Sequence, residues 1–292
     1  MKCMSKSSIL MVLWLCAFPG FAAAAKLDTA HIDAALGRTG SWVEGVYLVN
    51  FPRPELHVTL QGVQLSDLQV LSFVTFVGSG AHAEMMGEIC ALPDEVTPAI
   101  IKLRAGGIQI TGVHDHYIGE SPRIVFIHFM ARGTAQTLAQ TYRSALAVTG
   151  TPLGRTSPDF SVGPLPDWAK TVQHAFGRAG GYFMPKPETM EFDIASTHFP
   201  ASPMQDFWSS VVYFQPAPDG KLATTGDIMV TAPELNPVLS ILTQNRFQIL
   251  AVHNHMIDEH PRVFFIHFWK IAAPQDVSTG LKAALAEAHA RP

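Results

Sequence analysis

The sequence predicts an α+β fold made of two tandem repeats, each a mainly antiparallel sheet with packed helices. Shifting the chain by 139 positions aligns residues 87–129 with residues 226–268 without a gap. The hydrophobic pattern indicates the same order of helices and strands in both halves. Successive strand-like segments lie too close together for the helical crossovers that parallel strands need, so an antiparallel sheet is expected.

Each repeat is predicted to begin with a short amphipathic helix, marked by Ile32 and Leu36 in repeat one and by Trp168 and Phe176 in repeat two. Strand-like segments follow at 45–50, 56–60, 72–77 and 85–92, with counterparts at 182–184, 190–194, 210–214 and 226–230. A helix near 94–103 or 234–242 then starts with acidic residues, as helix N-termini favour. Two strands around a histidine-rich segment and a final amphipathic helix complete each repeat.

The N-terminal segment, residues 1–25, has the pattern of a cleaved secretory signal peptide. Lys2 and Lys6 precede an apolar run at 8–22 that ends in alanines. The run is shorter than the roughly 20 residues that cross a bilayer, so we expect no membrane span in the mature chain. Leu15 stands before Cys16, where a lipoprotein signal needs a small residue. These features predict a periplasmic or secreted protein.

The mature chain divides into repeat one at 26–148, a linker at 149–166 rich in Gly, Pro, Ser and Thr, and repeat two at 167–292. It retains one cysteine, Cys90, which lies in an apolar run and is expected in the core without a disulfide. The net charge is −4 and no basic stripe is present, which argues against a nucleic-acid partner.

The most distinctive segment is a duplicated histidine-rich hairpin, VHDHYIGESPRIVFIHF at 113–129 and VHNHMIDEHPRVFFIHF at 252–268. Eleven of its seventeen positions are identical, and it holds seven of the 13 histidines. Side chains two or four residues apart share one face of a strand. The candidate ligands on that face are therefore His114, His116 and Glu120 in repeat one, and His253, His255 and Glu259 in repeat two.

A third histidine follows in each return strand, His128 and His267. A three-residue loop at 121–123 would place His128 opposite His116, and a two-residue loop would put it on the reverse face. With the longer loop, each repeat gathers three imidazoles and a carboxylate, a set that suits Zn, Mn, Fe, Cu or Ni. A metal with an open position can activate water. Arg123 and Arg262 are candidates to bind an anionic group of a small-molecule or envelope ligand.

Two other interpretations stay open. The histidines can form structural hydrogen-bond networks within a sheet. Alternatively, the protein is a non-catalytic module that binds an envelope glycan or peptide in an aromatic groove formed by Phe207, Trp208 and Trp269. Glu88 and Asp227 match across the repeats and are expected to face solvent, and His198 lies in a loop that can approach the site. The common motifs of hydrolases, nucleotide-binding proteins, thiol redox proteins and zincins are missing from the sequence.

Two resemblances to known families follow from these motifs. The spacing His114-x-His116-x3-Glu120 resembles the first half of a cupin metal motif, whose second half is absent from both repeats. The chain also resembles the LppY/LpqO family of exported proteins. This second resemblance is carried by Val252-His253-Asn254-His255, Glu259, Pro261-Arg262, His267-Phe268, Gly226-Asp227 and Phe51-Pro52-Arg53 with residues 56–62. It covers nearly the whole mature chain and implies the same fold unit, and it assigns no activity.

Overall fold

The computed structural model describes residues 27–43, 45–154, 163–184, 187–198 and 209–290. Within these ranges the chain forms two six-stranded antiparallel sheets with helices packed on them, which confirms the α+β fold. The segment predicted to be a signal peptide lies outside the described residues, as do residues 155–162 of the predicted linker.

The first sheet, in residues 41–133, has the strand order β1-β2-β5-β6-β8-β7. Its strands are β1 (Ser41–Val43), β2 (Val46–Pro52), β5 (Leu71–Ser79), β6 (His82–Ala91), β7 (Gln109–His114) and β8 (Val125–Gly133). A separate two-stranded ribbon consists of β3 (Thr59–Leu60) and β4 (Val63–Gln64). The helices of this half are α1 (Thr29–Leu36), α2 (Pro93–Ala105) and α3 (Ala135–Leu146).

The second sheet repeats this arrangement in the order β13-β14-β12-β11-β10-β9. Its strands are β9 (Gly181–Phe183), β10 (Thr189–Ala195), β11 (Ser209–Pro216), β12 (Leu222–Thr231), β13 (Gln248–His253) and β14 (Val263–Ala272). The helices are α4 (Asp167–Phe176), α5 (Ala232–Gln244) and α6 (Pro274–Glu287). The order helix, four strands, helix, two strands, helix is thus common to both sheets.

The strand predicted at 56–60 is present only at Thr59–Leu60 and lies outside the main sheet. Residues Pro54–Leu56 form a 3-10 turn, and the following residues form the β3–β4 ribbon outside the main sheet. The apolar residues that suggested a strand are buried in a cluster that also contains Leu250 and Trp269 of the second half. The strands that match β9 and β10 are therefore β1 and β2. Hydrophobicity identified a buried segment here, and the partner that buries it is the other repeat.

The helices cover one face of each sheet, and the other face turns toward the opposite repeat. In β8, Ile127 and Phe129 pack against α3 and the rest of the first core, while His128 between them points the other way. The helix-free faces of the two sheets share a smaller apolar cluster, in which Met86 packs with Met229 and Phe265. This opposition of two helix-free faces positions the histidines.

Candidate metal centre

The histidines of each hairpin share a face, through a connection longer than either loop considered from the sequence. In repeat one, β7 ends at His114, and residues 115–124 link it to β8. The strand register places Gly112 opposite His128 and His114 opposite Phe126. Because opposite residues in an antiparallel pair share a face, His128 lies on the face of His114. In repeat two the pairs Ala251–His267 and His253–Phe265 give the same result.

Six imidazoles from the two repeats meet in one cluster, which we term the histidine centre: His114, His116, His128, His253, His255 and His267. The rings of His114 and His253 stack with their centroids 3.4 Å apart. His116 stacks on His267 at 4.2 Å, and His255 stacks on His128 at 4.0 Å. The shift of 139 positions exchanges these last two contacts, so the centre has an approximate two-fold relation. Sequence reasoning expected one site in each repeat, and the structure joins the two sets.

Most ring nitrogens of the histidine centre have no hydrogen-bonding partner among the described residues. Eight of them are buried without one, including both nitrogens of His128 and of His253. Burial lowers the pKa of His114 to about 4 and that of His253 to about 2, and it lowers the pKa of the other four imidazoles well below the ordinary value. The rings are therefore neutral at pH 7, and each has a nitrogen lone pair available for a metal.

Four histidines are close enough to share one ion. His114, His116, His253 and His255 each offer a ligand atom, and these atoms lie within 4.8 Å of one another. A second group with the same spacing consists of Glu88, His116 and His128. His116 belongs to both groups, which makes the two groups parts of a single centre.

Two acidic residues border the centre, contrary to the expectation that they face solvent. Glu88 lies opposite His128 in the β6–β8 pair, and Asp227 lies opposite His267 in the β12–β14 pair. The Oε2 atom of Glu88 is 3.4 Å from Nε2 of His128. Burial raises the pKa of Glu88 well above its ordinary value, with the charge of Asp227 adding to the effect, and burial raises the pKa of Asp227 to about 7. The sequence signal for this pair was their equivalence across the repeats inside long strands.

A cavity of about 110 Å³ adjoins the histidine centre. Its lining includes Glu88, Asp227, His116, His128, His255 and His267. A polar cavity of this size can hold several water molecules or a small ligand. The centre therefore has room for a further ligand beside an ion.

The two glutamates predicted as ligands lie in the hairpin connections. Glu120 accepts a hydrogen bond from the backbone N–H of Ile124 at 3.2 Å, and Glu259 accepts one from Val263 at 3.3 Å. Among the described residues, neither falls in a group of donors close enough to share an ion. Their observed contacts close the connection between the strands.

The two arginines also fasten the hairpin connections. The guanidinium of Arg123 donates to both carboxylate oxygens of Asp115, at 3.2 and 2.9 Å. Arg262 instead donates to the carbonyl oxygens of Met256 and Ile257, at 3.3 and 2.6 Å, and its Nε atom lies 3.3 Å from Oε1 of Glu259. Asn254 stands at the position of Asp115 in repeat two, so the carboxylate beside the guanidinium there is that of Glu259.

Other residues singled out in the sequence lie away from the centre. Trp269 is 2% exposed and donates its indole N–H to Gln61. It borders a surface cavity of about 630 Å³ whose other described lining residues are polar or aliphatic, so no second aromatic ring joins it there. Phe207 and Trp208 lie outside the described residues. Cys90 is a buried free thiol, as expected, and burial raises its pKa. None of the helices in the described ranges combines the length and apolar character needed to cross a membrane.

A family model described as Domain of Unknown Function (DUF1259) matches residues 30–148 and 191–287, most of both repeats. No curated protein matches the chain. Among solved structures, crystal form I of TP0453 is 11% identical over 89% of this chain and 99% of that chain, with a TM-score of 0.21. Crystal form IV of TP0453 is 12% identical over 89% and 98%, with a TM-score of 0.15. Scores this low support no inference from either structure.

Proposed function

Because the chain belongs to the family described as Domain of Unknown Function (DUF1259), which carries no assigned activity, we propose a function from the site itself. The protein is an exported metal-binding protein whose histidine centre holds one transition-metal ion between the repeats. The observation that carries this proposal is the set of eight buried imidazole nitrogens without hydrogen-bonding partners among the described residues. Leaving a buried polar group unpaired costs about 1–3 kcal/mol, and a bound ion removes that cost for each nitrogen that it binds.

The donor set supports a late first-row ion. The four-histidine group offers only neutral imidazole nitrogens, which suit Zn, Cu, Fe and Ni better than Mn. In the general affinity order for such donors, Cu and Ni exceed Fe and Mn, and Zn follows Cu. We therefore propose Zn, Cu or Ni ahead of Fe and Mn.

The buried acids support a cation at the same place. Glu88 lies beside His116 and His128, and burial raises its pKa because its charged form is poorly solvated. A divalent cation within the centre would stabilise the ionised form. Water or a small ligand in the adjacent cavity could then be bound and polarised by the ion, with the acids accepting or donating a proton. On the basis of this arrangement, we propose that the histidine centre is catalytic.

A purely structural role for the histidines fits the geometry less well. Buried polar groups in a structural network are almost always hydrogen-bonded, whereas here the Nε2 atoms of His114, His116 and His255 lack hydrogen-bonding partners within the described ranges. In the alternative of an aromatic groove for a glycan or peptide, Trp269 borders a cavity of about 630 Å³ but offers little surface, because it is 2% exposed.

Export and cleavage of residues 1–25 form part of the same proposal. They are supported by the basic and apolar N-terminal pattern and by the resemblance to the LppY/LpqO family. Fractionation of the producing cells and N-terminal sequencing of the protein test this part. A protein that is found inside the cell and retains Met1 would contradict it.

The metal is tested by elemental analysis of untagged protein purified from its native compartment. The test variant carries His114→Ala and His253→Ala, and the matched control carries the exposed substitutions His31→Ala and His82→Ala. We expect the test variant to contain one transition-metal ion fewer per chain than the parent, with the control unchanged and circular dichroism confirming the fold of all three. A metal-free parent that also fails to bind added Zn, Cu, Ni, Fe or Mn would refute the proposal.

A further inference from the structure

We propose that repeat two holds a second metal site, formed by His198, Glu234 and His289, which takes a zinc-type divalent ion. Each residue offers one ligand atom, and the three atoms lie within 4.8 Å of one another. None of the three belongs to the histidine centre. Glu234 lies in the first turn of α5, a helix that packs in the second apolar core on the opposite face of the sheet from the centre.

The carboxylate of Glu234 divides its two oxygens between two tasks. Its Oε2 atom accepts hydrogen bonds from the backbone N–H and the hydroxyl of Thr231, both at 2.7 Å, and so caps α5. Its Oε1 atom faces Nε2 of His198 at 2.6 Å and also contacts Nδ1 of His289. One carboxylate oxygen thus caps the helix, and the other lies between two imidazole nitrogens.

The two imidazoles are held in place by the backbone around them. Thr197 donates to the carbonyl oxygen of His289 from its backbone N–H at 2.9 Å and from its hydroxyl at 2.8 Å. An isolated bridge between Ser196 and Ala290 joins the same two segments. His289 adopts a φ of 50°, a left-handed conformation that few residues other than glycine occupy. Residues held in such conformations cluster at functional sites.

Repeat one provides an internal comparison for this cluster. The equivalent carboxylate, Glu95, binds the guanidinium of Arg53 at 2.8 and 3.3 Å and accepts the backbone N–H of Gly150 at 2.6 Å. The shift of 139 positions places His289 where Gly150 stands. The sheet registers place Ser196 where Arg53 stands, because Ala195 and Pro52 occupy matching positions.

Repeat two thus has two imidazoles where repeat one has the guanidinium of Arg53. An arginine is always protonated and cannot bind a metal, whereas a neutral imidazole can. A bound ion would supply the positive charge that Arg53 supplies in repeat one.

The site is open enough to exchange an ion. The side chains of His198 and His289 are 32% and 59% exposed, while that of Glu234 is 7% exposed. Two histidines, one carboxylate and a water in the fourth position make up a familiar donor set for Zn²⁺.

The test measures Zn²⁺ binding to the full chain by calorimetry and by metal content after dialysis. His289→Gly installs the residue of repeat one and suits the left-handed backbone, and His198→Ala removes the other imidazole. The control is His31→Ala. It removes an exposed histidine in the first turn of α1, whose imidazole pairs with the N-cap residue Asp28.

We expect each test variant to lose one Zn²⁺ per chain, or to bind it at least about tenfold more weakly, since loss of even an outer-shell partner costs 10–100-fold. Binding at the histidine centre and binding by His31→Ala should stay unchanged. Co²⁺ in place of Zn²⁺ should give a tetrahedral visible spectrum that includes a component absent from both variants. Equal Zn²⁺ number and affinity in the parent, His289→Gly and His198→Ala would overturn the site.

Discussion

Replacing the two stacked histidines by leucine should leave the metal-free protein as stable as before, or more stable. The substitutions His114→Leu and His253→Leu remove three buried nitrogens that lack a hydrogen-bonding partner among the described residues. They also remove the stacking of the two rings on each other and a weak 3.4 Å approach of His114 Nδ1 to the carbonyl oxygen of Asp115. A structural hydrogen-bond network would give the opposite result, because removing one member leaves others unpaired. The variant therefore separates a metal site from a structural network.

The magnitude follows from the unpaired atoms. An unpaired buried polar group costs about 1–3 kcal/mol, and replacing such groups by apolar ones of similar shape can be neutral or stabilising. We expect a change between about 0 and +3 kcal/mol in the free energy of unfolding of the metal-free protein. A domain of this size shifts its Tm by about 2–4 °C per kcal/mol, so the Tm should rise by up to about 12 °C.

Added metal should stabilise the parent and leave the stability of the leucine variant unchanged. A ligand present at a hundred times its Kd stabilises the folded state by about 2.7 kcal/mol, or about 5–11 °C in Tm. The parent should gain this stabilisation with the ion found by elemental analysis, and the leucine variant should not gain it. Calorimetric scans with chelator and with metal give all four values. A metal-free variant that melts well below the metal-free parent would show that the two histidines belong to a structural network.

Three further predictions concern buried groups in the two repeats. Arg53→Met breaks a buried pair with Glu95 and should cost about 3 kcal/mol in urea unfolding, against less than about 1 kcal/mol for the exposed Arg132→Met. Gly226→Ala should cost about 2–6 kcal/mol, because φ is 148° and an added Cβ would lie 1.9 Å from the oxygen of Val211; Gly80→Ala, with open space around it, should be neutral. Glu234 has a pKa lowered from 4.5 to about 2, so its contribution to stability is present above pH 4.5 and is lost as the pH falls toward 2. Glu234→Gln should therefore destabilise the protein at pH 7 and match the parent near pH 2; a difference that persists unchanged at pH 2 would contradict this assignment.

The sequence predicted the elements well because their signals are local. Period-2 alternation placed His114 on one strand face, and helical spacing marked Ile32 and Leu36, which are buried in α1. The register of the hairpin could not be predicted, since the connection at 115–124 is held by contacts outside the hairpin. One of these is the bridge between Ser121 and Thr59 of the ribbon. The residues of the turn alone do not predict this contact with the ribbon.

The composition of the candidate site depended on tertiary structure for a different reason. The sequence of a single repeat predicts Glu120 or Glu259 as the acidic neighbour of the histidines. Each lies four residues after the second histidine of the hairpin, on the same face if the strand continued that far. The observed strand stops at His114, so the alternation no longer applies beyond it. The acid beside the histidines is instead Glu88, which comes from the neighbouring strand β6. The signal in the sequence for these acids is a carboxylate in the middle of a strand at equivalent positions of the two repeats, Glu88 and Asp227.

The approximate two-fold relation explains why the histidine hairpins of the two repeats are more alike than the sites near the starts of α2 and α5. In the histidine centre, His116 stacks on His267 and His255 stacks on His128, so a change in either hairpin alters contacts made by both. Near the starts of α2 and α5, the described residues show no such sharing. There Glu95 and Glu234 keep the same capping role, while their partners differ as Arg53 and a pair of imidazoles. A site built across the repeats constrains both copies together, and a site built within one repeat leaves each copy free to acquire its own chemistry.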